Sequence, residues 1–158
     1  MIDPEYEKIV ELMLGGVEPV RRTGITAVDC RDNYVKLLMP LKGNTNHVGI
    51  MYAGPLFVLG EVAGGAVFAV AVDCNRYFPI VKEVNIKFRR PAMSDIYMEV
   101  EMSSERAREI EEKVEREGKA DFLMELELKD INDDTVASVR GTWQARKIPP
   151  GMKMPWSK

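Results

Sequence analysis

The sequence has very few metal-binding and redox-active side chains. Its 158 residues include one histidine, His47, and two cysteines, Cys30 and Cys74. The cysteines lie far apart in no Cys-x-x-Cys context, so with a single histidine they form neither a disulfide framework nor a zinc site. We therefore expect no metal centre, no bound cofactor and a reducing compartment.

The chain also has no excess of positive charge, with 22 Lys and Arg residues against 25 Asp and Glu. The formal net charge is -3, which argues against a nucleic-acid partner because no basic surface faces a phosphate backbone. The N-terminus lacks a basic stretch followed by an apolar run, so it does not resemble a secretory signal. These features predict a cytoplasmic protein. With 46% hydrophobic and 30% charged residues, the composition is that of one globular core.

One long apolar run, residues 56–72, could be either a transmembrane helix or a core helix. Glu61 is its only charged residue. The run is at the short limit for a bilayer helix, about 17 to 25 residues. Neither flank carries a basic cluster or an aromatic belt, and the rest of the chain alternates as amphipathic strands. We therefore interpret the run as a core helix buried on nearly all sides, with no membrane as a partner.

The first half of the chain predicts a helix, a hairpin and this long helix. Asp3 and Pro4 open a short amphipathic helix that ends at the glycines 15–16. Two strands, 25–30 and 34–41, flank turn-forming residues and predict a hairpin. A polar loop at 42–49 follows, and Pro55 is expected at the first position of the long helix.

The second half alternates between apolar and polar residues. Strands are predicted at 83–89, 96–102, 122–129 and 137–146, with a highly charged helix at 105–117. Antiparallel strands on one side and one apolar helix on the other form an α+β layer. We expect one domain over residues 1–148 and a loosely held tail over 149–158.

Two segments resemble a known family. They are residues 46–61, NHVGIMYAGPLFVLGE, and residues 84–92, VNIKFRRPA. Their order and spacing resemble hotdog-fold acyl-CoA thioesterases of the phenylacetate-pathway type, in which an antiparallel sheet wraps around one long helix. The resemblance covers about residues 26–146 and implies hydrolysis of an acyl-CoA thioester.

The resemblance assigns roles to particular residues. Glu61 takes the place of the catalytic acid, and Asn46 that of a polar residue that helps to place water or substrate. Ala53 and Gly54 stand for the paired glycines at the helix start, and Tyr52 stands where the family usually has histidine. Tyr52, Ala53 and Gly54 are thereby expected to contact the substrate.

Thioester hydrolysis needs a base or nucleophile and a donor to the carbonyl oxygen. The N–H groups of Ala53 and Gly54 lie at a helix N-terminus, where unpaired donors and the helix dipole polarise a carbonyl. Glu61 then acts as a general base on water or attacks directly, and both routes stay open. Arg89 and Arg90 are candidates for binding the phosphates of coenzyme A.

Two other functions fit part of the pattern. Hotdog 3-hydroxyacyl-CoA dehydratases resemble this chain in carrying a histidine before the helix and an acid within it, here His47 and Glu61. A non-catalytic acyl-CoA binding module is the second alternative. For each function we expect a homodimer or a dimer of dimers, because a single hotdog sheet has open edges.

Overall fold

The computed structural model describes residues 1–156. Its helices are α1 Glu7–Gly15, α2 Glu18–Arg22, α3 Ala53–Ala71 and α4 Ser104–Glu117. Its strands are β1 Thr26–Arg31, β2 Tyr34–Met39, β3 Tyr77–Phe88, β4 Ile96–Glu101, β5 Lys119–Lys129 and β6 Thr135–Lys147. The predicted α+β class is confirmed. The last two residues of the predicted tail, 157–158, lie outside the described residues.

One antiparallel sheet of six strands forms the body of the fold, in the order β1-β2-β4-β5-β6-β3. The helix α3 packs across its inner face at two glycines. A Cβ on Gly60 would lie 2.8 Å from Val139, and one on Gly64 would lie 2.2 Å from Trp143. Because any larger side chain would collide with β6, these glycines let α3 approach the sheet closely.

The two ends of the sheet differ. At the β1 edge, the N-terminal segment pairs with Cys30: the Asp3 N–H donates to the Cys30 carbonyl at 2.8 Å, and the Cys30 N–H donates to the Met1 carbonyl at 3.1 Å. At the other edge, β3 pairs only with β6 within residues 1–156. The twelve residues of β3 therefore present an open edge.

Three predicted element boundaries are wrong. Asp3 does not cap α1: its carboxylate accepts the Glu5 N–H at 3.1 Å in a preceding turn, and α1 begins at Glu7. The helix α3 begins at Ala53, which places Pro55 third rather than first. The strand β3 begins at Tyr77, six residues before the predicted start. Its first half does not alternate cleanly because it is an edge strand with a bulge between Val81 and Glu83.

The C-terminal tail returns to the body of the protein. The Ile148 N–H donates to the Arg76 carbonyl at 2.9 Å, and the Trp156 indole N–H donates to the Cys74 carbonyl, also at 2.9 Å. Both acceptors lie in the connection between α3 and β3. The division into a domain at 1–148 and a tail stays a prediction.

Candidate active site on the central helix

A tightly closed loop leads into α3. Thr45 and Met51 form an antiparallel bridge, and the side-chain oxygen of Asn46 accepts the N–H groups of Val48 at 3.0 Å and Ile50 at 3.3 Å. Asn46 therefore shapes the loop with its Oδ1 atom. Its side-chain N–H₂ group donates to no other group within residues 1–156.

Asn44 is a residue of this loop that the sequence did not single out. Its side chain is buried, and its N–H₂ group donates to the Thr23 carbonyl at 2.7 Å and to the Pro40 carbonyl at 2.8 Å. Its own carbonyl accepts the Tyr52 N–H at 2.8 Å. Asn44 thus fixes the residue just before α3, and no motif or periodicity in the sequence distinguishes it from the other loop asparagines.

The first turn of α3 carries unused backbone donors. Ala53 and Gly54 are its first two residues, and neither N–H finds an acceptor in the part of the chain that the structure describes. Pro55 has no N–H, so these two are adjacent donors at the positive end of the helix dipole. The ring of Tyr52 lies over Gly54, where a Cβ would come within 2.6 Å of the ring.

One side of α3 is only partly covered, which corrects the expectation that the helix is buried on nearly all sides. We call this side the open stripe; its residues recur every three or four positions and are partly or fully exposed, namely Gly54, Phe57, Val58, Glu61, Val62 and Gly65. The opposite side of the helix packs on the sheet. The helix α3 is long and apolar enough to cross a membrane, but 61% of its apolar stretch is buried inside the protein. This burial is typical of a core helix.

Glu61 lies at the centre of the open stripe. It is half-buried, and it forms no ion pair or hydrogen bond with any described residue. Burial raises the pKa of its carboxyl group above the ordinary glutamate value. An unpaired, partly desolvated carboxylate on an apolar helix costs stability, and such groups are typical of functional sites.

Burial of Glu61 predicts a pH-dependent effect on stability. Because the pKa of Glu61 is raised in the folded state, its protonated form favours folding. This contribution to the free energy of unfolding is complete below the pKa of the unfolded state and is lost as the pH rises through the pKa of the folded state. Glu61→Gln removes this titration. The melting temperature of the variant should therefore match that of the parent at acidic pH and exceed it increasingly toward neutral pH, as measured by thermal unfolding of both proteins. If the melting temperature of the variant does not exceed that of the parent at neutral pH, another group stabilises the ionised carboxylate.

Two predicted phosphate-binding residues follow β3. Arg89 donates from Nε to the Ser138 hydroxyl at 3.1 Å, and Arg90 forms an ion pair with Asp134 at 3.1 Å. Arg89 lines a groove of about 900 Å³ on the outer face of the sheet, whereas Glu61 lies on the inner side. Arg89 and Glu61 therefore lie on opposite faces of the sheet.

His47 is exposed to solvent and has no hydrogen-bond partner within residues 1–156. The loop is tied to the segment after β3 by the Met51 N–H, which donates to the Ala92 carbonyl at 2.8 Å. The structure therefore brings Asn46, the start of α3 and the Arg89–Arg90 pair to one end of the sheet. Glu61 lies two turns further along α3.

The chain is similar to several known proteins. Residues 8–145 match the model of a family described as a domain of unknown function, DUF4442. A Pseudomonas aeruginosa protein of unknown function, described as a probable thioesterase, has a crystal structure that is 40% identical in sequence, with a TM-score of 0.86 over 94% of this chain and 99% of that one. None of the curated proteins matches this chain.

More distant structures share the fold. A thioesterase from Staphylococcus aureus is 17% identical over 82% of this chain and 99% of its own, with a TM-score of 0.65. A thioesterase from Haemophilus influenzae is 11% identical over 85% of this chain and 87% of its own, also with a TM-score of 0.65. The hotdog fold expected from residues 46–61 is confirmed. The phenylacetate-pathway type stays a prediction.

Proposed function

Because the chain belongs to the DUF4442 family, we propose from its fold and from Glu61 that it is an enzyme that hydrolyses acyl-CoA thioesters. Relatives described as thioesterases support thioester hydrolysis in general. The observation that carries the proposal is Glu61, an unpaired carboxyl group with a raised pKa on the open stripe that follows the loop. We place this activity in the cytoplasm.

The proposed reaction uses the first turn of α3 and the acid at the centre of the open stripe. The N–H groups of Ala53 and Gly54 bind the thioester oxygen, where negative charge develops in the transition state. Glu61 takes a proton from water as the water attacks the carbonyl carbon, or attacks that carbon itself and forms an anhydride that water then hydrolyses. In both routes the carbon–sulfur bond breaks, and coenzyme A leaves as a thiolate that gains a proton.

The other predicted site residues contribute binding and alignment. Tyr52 provides an exposed aromatic ring beside the Ala53 and Gly54 donors. Asn46 holds the loop in shape and offers its free N–H₂ group to water or substrate. Arg89 and Arg90 lie at the same end of the sheet and bind the phosphates of coenzyme A by exchanging their present polar partners.

The spacing along α3 favours a site shared by two chains. Ala53 and Glu61 are eight residues apart, about 12 Å along the helix axis. A reacting carbonyl must lie about 3 to 3.5 Å from its attacking atom. We therefore propose that the donors of one chain face Glu61 of a second copy, in a homodimer or a dimer of dimers that joins the open β3 edges.

A charge on the open edge is expected to weaken this dimer. Val81 is an exposed apolar residue of β3, and Val81→Lys places an ammonium group where a second copy would pack. The control is Ile131→Lys, because Ile131 is also exposed but lies in the turn between β5 and β6. Size-exclusion chromatography with light scattering should give a dimer or tetramer for parent and control, and a smaller species for Val81→Lys. A monomeric parent at micromolar concentration contradicts the proposed assembly.

The proposed activity is tested against its alternatives in one set of assays. Purified protein is mixed with acyl-CoA substrates to follow free thiol, and with crotonyl-CoA to follow hydration. Thiol release that depends on Glu61 supports the thioesterase. Hydration that depends on both His47 and Glu61 would establish the dehydratase, and tight binding without turnover would establish a binding module.

A further inference from the structure

The open stripe ends where α1 crosses α3. A Cβ built on Gly65 would lie 2.9 Å from the terminal methyl carbon of Met13, so this side chain rests directly on Gly65. Gly65 lies one turn beyond Glu61. One turn later still, Phe68 is fully buried and stacks on Phe122 with ring centroids 5.8 Å apart. The stripe is therefore open at Glu61 and closed one turn beyond it.

Met13 belongs to the surface of the stripe rather than to the deep core. It is partly exposed, unlike the neighbouring Leu14 of α1, which is buried. A methionine side chain is flexible and apolar, and it adapts readily to an apolar ligand. The absence of a side chain at Gly65 leaves the space that the methyl group of Met13 now occupies.

The two ends of the stripe differ in polarity. Its N-terminal end adjoins the polar loop that contains Lys42, Asn46 and His47. Its other end is formed by Val62, Gly65 and Met13, which carry no polar side-chain group. An acyl-CoA thioester has the same asymmetry, with a charged coenzyme on one side of the carbonyl and an alkyl chain on the other. With the carbonyl held beside Glu61 by the donors of a second copy, the alkyl chain would fit the apolar end of the stripe, toward Met13.

We propose that Met13 forms the end wall of the acyl-binding subsite and restricts the enzyme to short acyl chains, an inference that rests on the proposed function. Glu61 and Gly65 are four residues apart, which is about 6 Å along the helix and accommodates about three to five carbon atoms beyond the carbonyl. The substrate class is thus acyl-CoA with a chain of about four to six carbons.

The test measures kcat/KM for acetyl-, butyryl-, hexanoyl-, octanoyl- and palmitoyl-CoA by thiol release. For the parent, butyryl- or hexanoyl-CoA should be the best substrate. Met13→Ala removes the wall and should raise the octanoyl to butyryl ratio of kcat/KM by about tenfold or more, the effect of a methylene in a hydrophobic pocket. Gly65→Ala should do the opposite, because its Cβ pushes Met13 toward the substrate and lowers the ratio.

Two controls separate specificity from stability. Met13→Leu keeps a similar apolar volume and should keep the parent profile. Met152→Ala removes an exposed methionine of the tail and should change nothing. If Met13→Ala does not fold, Gly65→Ala alone tests the inference, because an alanine in place of a helical glycine favours the helix. If Met13→Ala and Gly65→Ala hydrolyse acyl-CoA with the same chain-length dependence as the parent, the inference about Met13 is wrong and the proposed function stands. If the parent hydrolyses no acyl-CoA, the proposed function is wrong and the inference fails with it.

Discussion

Glu61→Gln is expected to lower acyl-CoA hydrolysis at least about a hundredfold, because general-base catalysis contributes about 10² to 10⁴. Glutamine keeps the size of the side chain and one hydrogen-bonding oxygen but cannot accept the proton of the attacking water. The measurement is kcat from the release of free thiol, with thermal unfolding of the same sample to show that the variant is folded.

The matched control for this charge change is Glu112→Gln. Glu112 is an exposed glutamate of α4, so its variant should turn over like the parent. Asn46→Ala should lower the rate less than Glu61→Gln, because Asn46 aligns water and shapes the loop but transfers no proton. Parent-like turnover by Glu61→Gln would show that the catalytic acid has been misassigned.

The pH profile separates a chemical role of Glu61 from a structural one. A general base works only when it is ionised, so the rate should fall as the pH falls through its pKa. Because burial raises that pKa, the acidic limb should lie above the ordinary value for glutamate, about 4.3. The residual activity of Glu61→Gln should lack this limb. A limb that persists in the variant belongs to another group.

Ala53→Pro is expected to lower the rate about 10² to 10³-fold, the cost of removing one donor to the oxyanion. The substitution suits the backbone, because Ala53 is the first residue of α3 and proline is favoured at that position. Tyr52 precedes it with φ -67 and ψ 149, the extended conformation that a residue before proline requires. The variant therefore removes the N–H and preserves the helix.

The control is Ala53→Gly, which keeps the N–H and should retain most of the parental activity. For the parent, Ala53→Pro and Ala53→Gly, helix content is measured by circular dichroism and kcat by thiol release. Full activity of Ala53→Pro would exclude the Ala53 N–H as the oxyanion donor. If His47→Ala abolishes turnover while Ala53→Pro and Asn46→Ala do not, the loop serves a dehydratase site instead.

Several parts of the fold could be predicted from local patterns. Apolar residues at period two identify β4, β5 and β6, since alternate side chains of a strand face opposite sides of the sheet. The charged segment with buried Ala107, Ile110 and Val114 was recognisable as α4 because those residues recur at helical spacing. The boundaries of α1, α3 and β3 were less predictable, because caps and bulges depend on contacts with distant segments.

The candidate site was only partly visible in the sequence. An acid within an apolar helix is conspicuous, and Glu61 could be identified from its neighbours alone. Asn44 could not, because its importance comes from hydrogen bonds to the distant carbonyls of Thr23 and Pro40. The position of Arg89 on the outer face was equally hidden, since it depends on the pairing of β3 with β6.

Local patterns along the chain predicted the class of fold, the long apolar helix and the lone acid within it, because periodicity and composition depend only on neighbouring residues. Three further features follow from contacts between distant segments: the open side of α3, the closure of the stripe by Met13 at Gly65, and the open edge at β3 rather than β1. Each of these depends on which distant segment covers a surface. That choice is made by long-range packing, which the order of apolar and polar residues along one element does not specify.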